Sequence, residues 1–181
     1  MNNYRKFLLL IFLCAVCLFA KSANVIAQAQ GGEVTKVDTV RLYLPDTELD
    51  RRLGGDIESL ARYIKALEKE TAAFWSKSTQ PTAKGMLIVV GIKPGKKSRV
   101  WCEAVEGEIS ADILRNLEKQ LGAVSPPEVK EAPIAFAINT HFRGRKVKEF
   151  PVFPKVWVDA AKASVRELTI PDDLFKIIWP N

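Results

Sequence analysis

Three side chains of different chemistry recur at every second position of one short segment: Arg99, Trp101 and Glu103. Successive side chains of a β-strand point to opposite faces, so residues at this spacing share one face of a predicted strand. Trp and Arg are the residue types in which binding energy concentrates at protein interfaces. This face therefore indicates either a surface for a ligand or partner protein, or a surface that the C-terminal residues cover by packing Trp157 or Trp179 on Trp101.

A second group of candidate residues follows another predicted strand. His141 is the only histidine, and Arg143 and Arg145 begin a basic cluster just after it. The cluster indicates a solvated hairpin tip, or a peripheral contact with anionic lipid headgroups or an acidic partner. With Arg99 and Glu103, His141 would also supply the groups for acid–base chemistry, so a small enzyme with this site is the alternative to a binding protein.

Recognised catalytic and metal-binding patterns are missing from the sequence. One histidine and three cysteines do not form the ligand spacing of a zinc site, and no serine lies in a G-x-S-x-G motif. The glycine-containing run 91–98 leads into a predicted strand, whereas a phosphate-binding loop opens a helix. We therefore assign no catalytic residue and expect no cofactor and no metal.

The N-terminus has the pattern of a secretory signal peptide. Arg5-Lys6 is followed by an apolar stretch at 7–20 and by Ala27-Gln28-Ala29, which fits a cleavage site. We predict a signal peptide over 1–29 and a single exported domain over 30–181. The alternative is an uncleaved inner-membrane anchor at 7–20, although this stretch is shorter than the about 20 residues that span a bilayer.

The composition after residue 29 favours the bacterial periplasm. Only Cys102 remains there, so the internal disulfides that extracellular proteins often require cannot form. Removing Arg5, Lys6 and Lys21 lowers the formal charge of +6 to +3, and a balance this mild does not indicate a nucleic-acid partner. A hydrophobic content of 48% excludes a disordered chain.

The elements that would position these residues form a core frame over 85–142. Apolar and β-branched runs predict strands at 86–90, 98–105 and 133–142, and Ser110 is a plausible N-cap of a helix over 110–121. A strand at 37–44 and a helix at 48–75 precede the frame. A two-residue turn at Pro94-Gly95 would pair Val89 with Val100 and bury Cys102 beneath a helix.

These elements predict an α+β fold, in which an antiparallel sheet of three to five strands packs against two main helices. The last segment, 151–181, is dense in proline and aromatic residues. We expect it to form an irregular tail that wraps over the domain, since a segment this apolar is not stable when it is free in water.

The order strand, turn, strand, helix, strand over 85–142 resembles the C-terminal domain of TonB- and TolA-type periplasmic proteins. The matching features are the glycine-led strand at 85–90, Leu114 and Leu117 on the helix, Pro126-Pro127, and the closing strand that begins at 133. The chain differs in its Pro-Gly turn and in the absence of a long proline-rich spacer. The resemblance implies a compact periplasmic domain that binds a partner through a sheet edge.

We therefore predict an exported, non-catalytic binding or adaptor protein of the bacterial cell envelope. Its expected partner is a protein or another envelope component.

Overall fold

The computed structural model describes residues 34–180, and the predicted signal peptide or anchor lies outside them. Nine elements follow one another within these described residues. The strands are β1 (Thr35–Leu42), β2 (Gly85–Lys93), β3 (Lys97–Val105) and β4 (Ile134–Phe142). The helices are α1 (Asp46–Leu53), α2 (Ile57–Lys77), α3 (Ala111–Gly122), α4 (Lys155–Ala163) and α5 (Asp172–Ile178).

The fold is α+β, with one four-stranded antiparallel sheet in the order β1-β4-β2-β3. β2 and β4 are central, and both are buried almost throughout. Their near-continuous apolar sequences follow from this position, because a strand that is covered on both faces has no side free for polar residues.

Both faces of the sheet are covered, and each has its own apolar core. The helix-side core joins α1, α2 and α3 to one face through residues such as Leu53, Leu67 and Leu117. The tail-side core joins the C-terminal segment to the other face and includes Trp157 and Phe175. Two main helices and an irregular tail had been expected, whereas residues 34–180 contain five helices, because the predicted helix at 48–75 is divided in two and the C-terminal segment forms α4 and α5.

The predicted helix at 48–75 is divided into α1 and α2 by two glycines. Gly54 and Gly55 adopt φ angles of 64° and 85°, a left-handed conformation that ends a helix and strains any residue with a Cβ. Asp56 then starts α2, since its carboxylate accepts a hydrogen bond from the Ser59 N–H at 3.0 Å.

The predicted register of the β2–β3 hairpin is wrong by one residue. Val89 pairs with Trp101, not with Val100, and Ile88 pairs with Cys102. The loop between Lys93 and Lys97 has three residues, the last of which, Lys96, has a φ of 55°. Because a one-residue shift exchanges the two faces of a strand, Trp101 shares a face with Leu87 and Val89. Cys102 still lies on the helix side, as expected, but beside Ile88 and Val90.

No helix within residues 34–180 combines the length and the apolar character needed to cross a lipid bilayer.

Candidate binding surfaces

Among residues 34–180, the sheet has one open edge, at β1. The Tyr43 N–H donates to the Ala135 carbonyl at 3.2 Å, so the alternation of an antiparallel ladder directs the backbone groups of Leu42 and Val40 away from β4. Val40 and Leu42 are each 39% exposed. Within the described part of the chain, no strand pairs with this side of β1. This stretch can therefore accept another strand.

A β-bulge separates the open stretch from the first half of β1. The register shifts between Val37 and Thr39, which leaves Asp38 as the extra residue. Asp38 Oδ1 lies 3.1 Å from His141 Nε2 on β4, and the Asn139 side-chain amide donates to Thr39 Oγ1 at 2.8 Å. Bulges and charges discourage edge-to-edge pairing, so strand addition is restricted to the residues after the bulge.

The opposite edge, at β3, is protected by α3. The Cys102 N–H donates to the Glu118 carboxylate on that helix at 2.7 Å, which occupies a backbone donor of the edge. Cys102 as a residue is only partly buried, but its thiol is enclosed, and this burial raises the pKa of the thiol well above its usual range, with a further contribution from Glu118. A thiol in this environment is a poor nucleophile, because the thiolate is the reactive form.

The face that carries Arg99, Trp101 and Glu103 is covered by the C-terminal segment. Trp101 is 7% exposed, and its ring centroid lies 5.2 Å from that of Trp157 and 5.7 Å from that of Phe175. Arg99 Nη1 donates to the Ile178 carbonyl at 2.9 Å, while Glu103 Oε2 accepts from the Lys155 N–H at 2.7 Å. These three side chains attach α4 and α5 to the sheet.

The groups considered for acid–base chemistry do not converge. Glu103 pairs across β3 and β2 with Leu87, which in turn pairs with Asn139, so two strand spacings, about 10 Å, separate Glu103 from β4. His141 lies a further two residues along β4 from Asn139. Arg99 is four residues from Glu103, about 13 Å along the strand. Trp101 lies between these two charged residues.

One residue of the basic cluster after β4, Arg145, has a structural function. Arg145 Nη1 donates to three successive carbonyls, those of Pro81, Thr82 and Ala83, at 3.0, 3.1 and 2.9 Å. Arg145 therefore fixes the loop that leads into β2. Arg143 has a φ of 44° in the turn after β4, and its side chain is exposed.

A cavity of about 480 Å³ lies between the tip of the β2–β3 hairpin and α5. Its cationic lining is formed by Lys93, Lys97 and Lys176, and Phe175 contributes an apolar wall. The sequence predicts only a turn at this tip. Its one local signal for the cavity is the pair of lysines that flank the turn, because the contribution of α5 depends on tertiary packing.

Within residues 34–180, no three His, Cys, Asp or Glu side chains are grouped so that they could hold a metal ion. Comparisons of the chain with protein-family models, with curated proteins and with solved structures find no match.

Proposed function

We propose that the protein is an exported, periplasmic binding protein of the bacterial cell envelope, which binds an extended segment of a partner protein as an added strand beside β1. The observation that carries this proposal is the open edge after the bulge. Val40 and Leu42 direct their backbone hydrogen-bonding groups away from β4, and more than a third of each residue is exposed to solvent. Strand addition uses such an edge for affinity, and alternate side chains supply specificity.

The side chains along this edge indicate which amino-acid sequences a bound partner strand should have. Val40 and Leu42 pair with Ile138 and Phe136 and so lie on the helix side of the sheet, while Arg41 pairs with Ala137 on the tail side. A complementary strand has apolar residues opposite Val40 and Leu42 and an acidic residue opposite Arg41. Opposite charges and apolar pairs at directly facing positions stabilise a sheet.

A second copy of the same chain is a poorer partner. An antiparallel register that pairs Val40 with Leu42 of a second copy also places Arg41 directly opposite its own equivalent. Like charges at facing positions are destabilising. The proposal therefore specifies a different protein.

The export and the periplasmic location rest on the residues that precede the described domain. The basic, apolar and small-residue order over 1–29 supports secretion, and the resemblance of 85–142 to TonB- and TolA-type domains supports partner binding at a sheet edge. Mass spectrometry of the protein expressed in a Gram-negative host tests the first point. We expect a mature N-terminus between Gln28 and Gln30, and an intact Met1 in the membrane fraction would contradict it.

Replacement of Val40 with proline tests the edge itself. Proline lacks the N–H that Val40 directs outward, and edge strands accept proline where that N–H faces solvent. The probe is the tightest-binding peptide selected from a random displayed library on the purified protein. We expect Val40→Pro to weaken its binding about tenfold, since an unpaired carbonyl in the added strand costs about 1–3 kcal/mol.

Two control variants accompany this experiment. Val40→Thr keeps the N–H and the branched shape and should retain most of the affinity, while Val165→Pro changes a fully exposed residue outside the sheet. Size-exclusion chromatography with light scattering establishes whether the protein self-associates. Selected peptides that bind Val40→Pro as tightly as the unmodified protein, or a dimer that Val40→Pro dissociates, would contradict the proposal.

A further inference from the structure

Several segments meet at the end of the sheet where the described domain begins. The Arg143 N–H, just after β4, donates to the Val34 carbonyl at 3.0 Å. β2 begins and β3 ends here, because the two strands are antiparallel. The last turn of α2 also reaches this end, since the rings of Trp75 and Phe142 lie 4.8 Å apart. We call this surface the basic end and define it as residues 34–38, 75–84, 106–108 and 143–149.

Cations outnumber carboxylates at the basic end. Its cations are Lys36, Lys77, Lys84, Arg143, Arg145, Lys146 and Lys148. Its carboxylates are Asp38, Glu106, Glu108 and Glu149. The excess of three positive charges is most of the formal charge of the described domain. That charge is +4, because leaving out Arg5, Lys6, Lys21 and Glu33 lowers the +6 of the whole chain by two. The rest of the described surface is therefore nearly neutral.

Most of these cations keep their charge uncompensated. Glu106 is the exception among the carboxylates, because it accepts from the Lys84 ammonium at 2.8 Å and from the Lys148 N–H at 2.5 Å. Lys84 is therefore neutralised by its partner. Arg145 binds only carbonyls, which carry no net charge. Four further cations are exposed and take part in no ion pair within residues 34–180, namely Lys36, Lys77, Arg143 and Lys146.

The basic end has no exposed apolar anchor. The large apolar residues that are exposed within 34–180 are Val40, Leu42, Ile57, Val152, Val156, Val165 and Ile177, and none of them belongs to this end. Protein interfaces concentrate their binding energy in anchors that become buried in pockets of the partner. Adsorption to a charged bilayer requires only cations close to its surface. An anionic lipid surface therefore fits the basic end better than an acidic protein does.

We propose that the basic end adsorbs to an anionic lipid surface, so that the domain lies on a membrane by this end. Clusters of about four to eight Lys and Arg side chains are typical of such peripheral contacts. The first described residue, Val34, lies at the same end, so the preceding part of the chain joins the domain on the side that faces the lipid. The open edge at Val40 and Leu42 supplies none of the cations, and the proposal is therefore independent of strand addition.

Sedimentation with lipid vesicles tests this proposal. The protein is a chain that starts at residue 30, because both apolar cores lie within 34–180 and residues 7–20 would themselves enter a bilayer. We expect binding to vesicles of phosphatidylcholine with phosphatidylglycerol, and none to vesicles of phosphatidylcholine alone. Salt at about 1 M should release the protein, since the Debye length then falls to about 3 Å.

A combined Arg143→Gln and Lys146→Gln variant locates the contact. Each cation near a charged bilayer contributes about fivefold to the affinity, so the variant should bind about 25-fold more weakly. The matched control combines Lys96→Gln and Lys97→Gln. These two lysines are exposed at the hairpin tip, about 27 Å along β2 from the basic end. Lys96 and Arg143 both adopt positive φ, 55° and 44°, so the two variants match in backbone as well as in charge.

The control should lower the affinity less than about twofold, because its cations lie several Debye lengths from the lipid. Equal weakening by the two variants would show that only the total charge matters, and it would overturn the proposal. Failure to bind the anionic vesicles, or equal binding to phosphatidylcholine alone, would overturn it as well. Tighter binding to soluble polyglutamate than to the anionic vesicles would assign the basic end to an acidic protein instead.

Discussion

Replacing Trp101 with alanine removes an indole on which three other aromatic rings pack. Its centroid lies 5.2, 5.7 and 6.3 Å from those of Trp157, Phe175 and Trp179, and only 7% of the residue is exposed. Truncation of a buried tryptophan costs about 3–5 kcal/mol, through lost burial and the cavity that remains. This is a large part of the about 5–15 kcal/mol by which a domain is stable. For a chain of this size the loss corresponds to about 6–20 °C in the melting temperature.

Urea unfolding followed by circular dichroism measures this loss. Val165→Ala is the control, because Val165 is fully exposed and its truncation should change the free energy of unfolding by less than about 0.5 kcal/mol. Trp101→Phe keeps an aromatic ring and should lose less than Trp101→Ala. If Trp101→Ala unfolds within about 1 kcal/mol of the unmodified protein, the C-terminal segment does not pack on this face as described, and the face becomes a candidate binding surface again.

Three further predictions concern single ionisable groups. Hydrogen bonds from Arg51 and then Arg52 lower the pKa of Glu48 from 4.5 to about 2, so the stability that this carboxylate contributes is complete above pH 4.5 and is lost as the pH falls towards 2. The difference in unfolding free energy between the unmodified protein and Glu48→Gln should therefore shrink between pH 6 and pH 3, and a constant difference would be inconsistent with the pairing. Burial raises the pKa of Tyr43 to about 12, partly offset by Arg41, so its contribution to stability is complete below pH 10 and lost as the pH rises through 12. Burial also raises the pKa of Tyr63, so Tyr43→Phe should remove one of the tyrosines that ionise above the usual range in an ultraviolet titration; an unchanged titration curve would contradict the assignment. In a chain that starts at residue 30, Cys102 should react with a thiol reagent at least about tenfold more slowly in the native state than in urea, because burial raises its pKa. Equal rates would show that the thiol is open to solvent.

The sequence was sufficient to predict the fold class and much of the core frame over 85–142. Strands 86–90, 98–105 and 133–142 and the helix after Ser110 all appear, because alternating or continuous apolar runs and a helix cap are local signals. The hairpin register was not predictable in the same way. It depends on whether the loop contains two residues or three, and Lys96 gives little indication that it adopts a positive φ. That single residue decides which face carries Trp101.

The candidate surfaces were harder to predict because they depend on contacts between distant parts of the chain. Arg52 binds Asp172, Cys102 binds Glu118 through its backbone, and Arg99 binds the end of α5. Such pairs leave no pattern in a single sequence. The open edge of β1 had a partial signal in the alternation of residues 37–44, but its exposure follows from the strand order, which places β1 outermost.

Hydrogen exchange of individual backbone amides tests the proposed strand addition most directly. In the free protein, the amides of Val40 and Leu42 should exchange rapidly, while those of Arg41 and Tyr43, which face β4, should be protected. Addition of the selected peptide at saturation should protect Val40 and Leu42 and leave Arg41 and Tyr43 almost unchanged. A peptide that binds without slowing exchange at Val40 and Leu42 would contradict the account, because strand addition requires hydrogen bonds to these amides.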